Sequence, residues 1–116
     1  MPVKLKMQLE TKNIKFRDKD LLVYVVKTFL DKMKGATIFA NPPQDVSGML
    51  FVGYNPIAKD IWMKGMKFPL NIYFLDENMN IINSYENVQP CNKFMGFGCH
   101  KYKANRKYSY VLELWG

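Results

Sequence analysis

The residues best suited to chemistry are the two cysteines and the only histidine of the chain, Cys91, Cys99 and His100. Thiolates and imidazoles bind zinc, but a structural zinc site takes about four ligands, with about two to four residues between paired cysteines. Here the cysteines lie further apart and no fourth ligand is evident. A thiol enzyme would need His100 as the base for a cysteine nucleophile. The open alternatives are a Cys91–Cys99 disulfide, two unpaired thiols, and a thiol or metal site on these three residues.

Cations and aromatic rings alternate through residues 91–108. The stretch contains Lys93, Phe94, Phe97, Lys101, Tyr102, Lys103, Arg106, Lys107 and Tyr108. Lys and Arg attract phosphates, and unpaired bases stack on aromatic rings. This composition suits single-stranded nucleic acid. The competing interpretation is a solvated loop whose rings pack into the core.

A second aromatic and cationic segment runs from Trp62 to Pro69. Trp and Met are typical of adaptable binding surfaces, and Lys64 is suited to an anionic group. The competing interpretation is a core segment with one solvated lysine. Together the two segments predict a ligand-binding surface with no catalytic residue and no cofactor, formed by Trp62, Lys64, Lys101, Tyr102, Lys103 and Arg106.

The first third of the chain contains two different periodicities. Residues 3–9 alternate apolar and polar side chains, which predicts a half-buried strand, followed by a turn at 10–13 and a short strand at 14–16. Over residues 20–34 apolar side chains recur at helical spacing, which predicts an amphipathic helix. Its β-branched residues make a strand over 22–28 the competing interpretation.

The remaining chain has the composition of strands and turns. Short strands are predicted at 36–40, 49–52, 61–66, 70–75, 81–85 and 108–114, with a turn beginning at Asp76. Residues 86–108 lack periodicity and predict a long surface loop. In the last strand we expect Glu113 to face solvent or a nearby lysine.

Several motifs are shared with a known family. They are Gly48-Met49-Leu50-Phe51-Val52, Trp62-Met63-Lys64, the Pro69–Asp76 segment, Pro90-Cys91, Tyr102 and the closing Leu112-Glu113 strand. In combination they resemble the domain of unknown function 192 family over about residues 48–116. The resemblance implies a compact, mainly β domain with no agreed activity. Gly65-Met66 replaces the family's usual Asn-Thr, Asn71 replaces an Asp, and the segment after the last strand is missing, so a polar site at these positions would be lost.

Composition and pattern together predict one mainly β (α+β) domain, residues 1–116. A curved antiparallel sheet or partly open barrel would carry the one helix. The net charge of +7 attracts polyanions. No apolar run is long enough to span a membrane and no signal peptide is visible, so we expect an intracellular location, with a virion or secreted location left open.

The function predicted from the sequence is a small non-enzymatic binding or interaction module with an unknown protein or polyanionic partner. One alternative is a nucleic-acid-binding protein that uses residues 91–108. A second is a structural subunit of a larger assembly, such as a virion or secreted complex. The third is the thiol or metal site at Cys91, Cys99 and His100.

Overall fold

A computed structural model describes residues 9–27, 35–53, 60–93, 95 and 97–116. In these ranges the strands are β1 (Glu10–Phe16), β2 (Lys19–Val26), β3 (Gly48–Val52), β4 (Ile61–Trp62), β5 (Leu70–Leu75), β6 (Ile81–Val88), β7 (Lys101–Tyr102) and β8 (Tyr110–Trp115), with one 3₁₀ helix at Gly35–Ile38. Six of them form a sheet in the order β1-β2-β3-β8-β5-β6, and β4 pairs with β7. The mainly β class is confirmed.

The large sheet is mixed and open. Neighbouring strands are antiparallel, as predicted, except β2 and β3, which are parallel. The sheet is not closed into a barrel, because β1 and β6 are its two edges among the described strands. The β1–β2 hairpin nevertheless folds over one face. Arg17 Nη1 lies 3.1 Å from Glu86 Oε2, and the Phe16 and Tyr73 rings meet edge to face at 4.9 Å.

Residues 20–26, predicted as the start of a helix, form a strand instead. Arg17 and Asp18 have positive φ angles of 50° and 63°, as in the mirror-image turn that joins two antiparallel strands. Nearly every residue from Leu21 to Val26 is apolar, so the segment fits both a helical and a strand period. The tight turn at Arg17 and Asp18, which pairs this segment with β1, therefore selects the strand. The second half of the predicted helix, residues 28–34, lies outside the described residues, as do residues 3–8 of the predicted first strand.

Other boundaries also differ from the predictions. Residues 10–13 belong to β1 rather than to a turn, and residues 35–38 form a 3₁₀ helix rather than a strand. The predicted strand at 61–66 ends at Trp62, because the chain turns at Gly65 (φ 80°) and the Met66 N–H donates to the Met63 carbonyl. The predicted strands at 49–52, 70–75 and 81–85 are confirmed, and the last continues to Val88.

Both faces of the sheet are buried around β8. One face carries Met49, Phe51, Ile72, Phe74 and Val111 beneath a second layer that contains β4, β7 and their flanking segments. The other face carries Val23, Leu50, Tyr73, Leu75 and Leu112, which pack against Ile14 and Phe16 of the folded-over hairpin. The second layer positions the predicted binding residues.

Gly48 of β3 lies very close to the backbone of β8. A Cβ atom at this position would collide with the carbonyl oxygen of Glu113 and lie 2.9 Å from the Leu114 Cα. Both atoms belong to the backbone of the central strand, so neither can rotate away. We expect Gly48→Ala to lower the free energy of unfolding by about 3 kcal/mol, measured by urea denaturation. Ser84→Ala, at an exposed position of β6, is the control and should change it by less than about 0.5 kcal/mol. Equal stability of the two variants would contradict the close approach.

Candidate functional site

The β4–β7 pair brings together two segments that are distant in sequence. Ile61 pairs with Tyr102, and Trp62 pairs with Lys101. The Ile61 and Tyr102 side chains pack against the core, whereas Trp62 is 43% exposed. The Lys101 ammonium group lies 5.9 Å from the centre of the Trp62 ring, which places a cation beside an exposed aromatic surface.

A row of rings connects this pair to the centre of the sheet. Phe74 of β5 contacts Tyr85 at 6.2 Å, Tyr85 contacts Tyr102 at 5.1 Å, and Tyr102 contacts His100 at 4.5 Å, measured between ring centres. The Tyr85 hydroxyl also donates a 2.6 Å hydrogen bond to the Lys103 carbonyl oxygen. β7 is therefore held against β6 by packing and by a hydrogen bond, so its outward side chains have a fixed support.

Cys91 and Cys99 form a disulfide in the structure. The first end of the resulting loop is bonded to the residues that directly follow β4, because the Cys91 N–H donates to the Met63 carbonyl at 3.2 Å and Cys91 pairs with Lys64. The second end leads directly into β7. Both ends of the disulfide loop thus lie beside β4 and the residues that follow it.

The disulfide loop exposes large apolar side chains. Met95 is 66% exposed and Phe97 is 71% exposed. At the base of the loop, Lys93 Nζ donates to the Gly98 carbonyl oxygen at 3.2 Å. Residues 86–108 are thus not the single unstructured loop that the sequence predicts, since β6, the disulfide loop and β7 occupy most of it.

The disulfide bears on the thiol and metal alternatives. Sulfur atoms that are bonded to each other supply neither a thiolate ligand nor a nucleophile. His100 instead lies against the Tyr102 ring. In the part of the chain that the structure describes, no three His, Cys, Asp or Glu side chains are grouped closely enough to hold a metal ion.

The predicted cations are spread over two regions. Lys64 and Lys101 are exposed beside Trp62, and Lys103 lies 3.9 Å from the Asp60 carboxylate. Arg106 lies apart from them, near Asp76 at the other end of β5. Its charge contributes to the lowered pKa of Asp76, which is caused chiefly by the hydrogen bond from the Asn80 N–H. The structure therefore groups five of the six predicted ligand-binding residues and leaves Arg106 outside.

The predicted turn at Asp76 is confirmed. Its Oδ1 accepts hydrogen bonds from the backbone N–H groups of Asn78 and Asn80, both at 2.8 Å. A short acidic side chain that accepts amides from the next residues is typical of such turns.

Glu113 is the residue that the sequence interpretation placed wrongly. It is 6% exposed rather than solvent-facing, because β8 is the central strand and both of its faces are covered. Met49 and Ile72 are its partners on the two neighbouring strands. Burial raises the pKa of the Glu113 carboxyl from 4.5 to about 7, since an apolar surrounding disfavours the charged form. In the sequence, the feature that marks Glu113 is its position in the Leu-Glu motif shared with the family.

This buried carboxyl predicts a pH-dependent stability. The folded protein keeps the Glu113 proton up to about pH 7, whereas the unfolded chain releases it near pH 4.5. Between these values the unfolded state binds fewer protons, so the contribution of Glu113 to stability falls by about 3 kcal/mol as pH rises and then levels off. We expect Glu113→Gln to lack this slope. Its unfolding free energy relative to the parent should rise between pH 5 and pH 8, as urea denaturation would measure. If the unfolding free energies of the parent and of Glu113→Gln changed with pH in the same way, the argument that Glu113 is buried with a raised pKa would be contradicted.

The disulfide predicts a redox-dependent stability. Closing a loop with a sequence separation of 8 limits the unfolded chain, and loop-closure entropy for this length gives about 2.5 kcal/mol. We expect the Cys91→Ser, Cys99→Ser double variant to be less stable by this amount in urea denaturation without reductant. Reductant should lower the parent to the same value and leave the variant unchanged. A parent that is insensitive to reductant and titrates with two free thiols would contradict the pairing.

Comparisons with known proteins agree with the fold and leave the activity open. A protein of unknown function from Novosphingobium aromaticivorans DSM 12444 has a TM-score of 0.74 and 20% identity, over 95% of this chain and 75% of that one. A provisionally assigned transcription regulator from Sinorhizobium meliloti 1021 has a TM-score of 0.69 and 23% identity, over 93% of this chain and 78% of that one. At these identities the likeness shows the fold alone.

No curated protein matches the sequence. In the part of the chain that the structure describes, no helix is long and apolar enough to cross a membrane. The family model described as "Uncharacterized ACR" matches residues 11–116, which extends the resemblance well before Gly48. Because this match covers most of the chain, the protein belongs to the domain of unknown function 192 family.

Proposed function

We propose that this protein is a non-enzymatic binding module that docks another protein on what we call the Trp62 surface. This surface consists of Trp62, Lys64, Met95, Phe97 and Lys101. The observation that carries the proposal is the exposure of three large apolar side chains, Trp62, Met95 and Phe97, on segments that are fixed to each other at their bases.

The side-chain types support a protein partner. Trp, Phe and Met are enriched at the centres of protein interfaces, where a few such residues supply most of the binding free energy. Exposed apolar groups grouped in one region commonly mark an interaction site. Here they lie on a disulfide-closed loop and on a strand pair, so less conformational entropy is lost on binding.

The charges of the Trp62 surface indicate which groups a partner protein would have around its own binding pocket. Lys64 and Lys101 are exposed beside Trp62, and the whole chain has a net charge of +7. Carboxylates at the rim of a partner would be attracted to them, which raises the association rate more than the final affinity. The partner that fits best has an apolar pocket with an acidic rim.

Single-stranded nucleic acid is the second candidate. The observation that favours it is the exposed Trp62 ring with the Lys101 cation beside it, an arrangement that suits base stacking and phosphate contact. The Sinorhizobium meliloti neighbour is provisionally assigned to transcription, but at 23% identity that assignment does not transfer to this chain. Phe97 suits base stacking as well, but the exposed Met95 side chain offers neither a ring nor a cation to a nucleic acid, which is why the protein partner comes first.

The remaining hypotheses have less support. A structural subunit of a larger assembly would use the same apolar residues as a permanent contact, and it would be found as an oligomer rather than a monomer at high concentration. The disulfide argues against a thiol or metal site at Cys91, Cys99 and His100.

The docking surface can be tested with peptides selected on the intact protein from a random display library. Trp62→Ala and Phe97→Ala should each weaken the selected peptides by about 2 kcal/mol, as measured by isothermal titration calorimetry, because each removes a central apolar contact. Ile81→Ala is the matched control. Ile81 is also an exposed apolar side chain, but it lies on β6, so binding should be unchanged.

Two outcomes would contradict this proposal. Selected peptides that bind all three variants equally would place the interaction elsewhere. Binding of an oligothymidylate that falls steeply with salt and is lost in Lys101→Ala, without any selected peptide, would favour the nucleic-acid candidate.

A further inference from the structure

A second concave region lies on the sheet face opposite the β4–β7 layer. It is a cavity of about 540 Å³, bordered by Glu10–Lys15 of β1, by Val25 and Lys27 in and just after β2, and by Leu50, Val52, Met79 and Tyr110. Near one end of β1 the Arg17–Glu86 ion pair and the Phe16–Tyr73 contact bring the hairpin close to the sheet.

The residues that β1 contributes to the lining show how this strand borders the cavity. Successive side chains of a strand point to opposite faces, so a cavity bordered by six consecutive residues of β1 touches the backbone of this strand as well as side chains. Among the strands that the structure describes, β1 is at the edge of the sheet. The cavity therefore runs along the backbone of β1, next to its outer edge.

The hairpin register identifies which backbone groups of β1 point to its outer edge. With the two-residue turn at Arg17-Asp18, the flanking pair Phe16 and Lys19 exchanges hydrogen bonds, and hydrogen-bonded pairs alternate from there along the ladder. Phe16, Ile14 and Lys12 thus bond to β2. The N–H and C=O groups of Thr11, Asn13 and Lys15 point to the outer edge, where another strand can pair.

The remaining walls define the chemistry of the occupant. Leu50, Val52, Met79 and Tyr110 offer apolar contacts to side chains that point inward. Lys12, Lys15 and Lys27 supply positive charge, of which the Glu10 carboxylate, 3.5 Å from Lys27 Nζ, balances one. Two copies of this edge would repel each other, since like charges on an exposed edge oppose pairing. The charge therefore favours an acidic occupant over a second copy of the chain.

We propose that the outer edge of β1 accepts an extended peptide segment as an additional strand. The segment has apolar side chains at alternate positions, directed at Leu50, Val52 and Tyr110, and carboxylates directed at the lysines. Main-chain hydrogen bonds supply affinity in this mode, and the alternate side chains supply selectivity. The site is separate from the Trp62 surface and does not depend on it.

The probe for this site is the peptide acetyl-Glu-Val-Glu-Val-Glu-Val-amide, titrated into the intact protein and followed by calorimetry and by backbone amide exchange. We expect binding that slows exchange of the Thr11, Asn13 and Lys15 amides. An analogue methylated at every amide nitrogen should bind at least about tenfold more weakly, because it cannot donate to the edge.

Asn13→Pro tests the edge from the protein side. Proline removes the outward N–H of residue 13 without removing a hydrogen bond to β2, and edge strands tolerate it. It should weaken the peptide about tenfold, whereas Asn13→Ala keeps the N–H and should bind like the parent. A thermal melt shows whether each variant is folded. If the proline variant does not fold, the amide exchange of the parent protein still decides.

Three outcomes would overturn the proposal. The first is no binding of the peptide to the parent. The second is binding without slower exchange at Thr11, Asn13 and Lys15, or binding that is equal in folded Asn13→Pro. The third is displacement of the peptide by sodium decanoate with those amides unchanged on peptide binding, which would show that the cavity takes an apolar anion rather than a strand.

Discussion

The structure depends on burying the central strand, β8, on both faces. β8 lies between β3 and β5, and its Val111 and Leu112 side chains are completely buried on opposite sides. Two separate layers are needed to exclude water from them. The β1–β2 hairpin folds over one face, and the segments around β4 and β7 cover the other. The same requirement explains why β3 has a glycine against β8 and why a glutamate on β8 has a raised pKa.

Each candidate site is on the outer side or at the edge of a covering layer. The β4–β7 pair covers the core with Ile61 and Tyr102, which leaves Trp62 and Lys101 exposed at the same pairing positions. The hairpin covers its face with Ile14 and Phe16 and leaves the outer edge of β1 unpaired within the described part of the sheet. Binding surfaces of this kind need little additional structure, because the core already fixes their supports.

The sequence predicted local features better than pairing. β3, β5 and the start of β6 were recognisable because strand-forming residues are bounded by turn residues, with Asp76 as the clearest signal. Residues 19–26 were not, because a run of apolar residues fits either period until a turn and a neighbouring strand decide. Glu113 was misplaced for a related reason: alternation shows which residues share a face, but not whether that face is covered. Similarly, Trp62 and Lys101 were both recognised as candidates, yet only strand pairing shows that they are neighbours.

The positions that depart from the family pattern now have a structural interpretation. The Asn71 side-chain oxygen accepts a 2.7 Å hydrogen bond from the Asn87 N–H, beside an irregularity in the β5–β6 pairing, and an aspartate could accept the same bond. Gly65 has a φ of 80°, a conformation that asparagine also adopts at modest cost. Both backbone conformations are therefore open to the family's usual residues. At position 71 a polar side chain remains, whereas Gly65 and Met66 remove both polar side chains of the Asn-Thr pair. Because the fold is kept while both polar side chains are lost, the candidate sites of this chain are its outward aromatic, cationic and edge-strand surfaces rather than the family's polar pair.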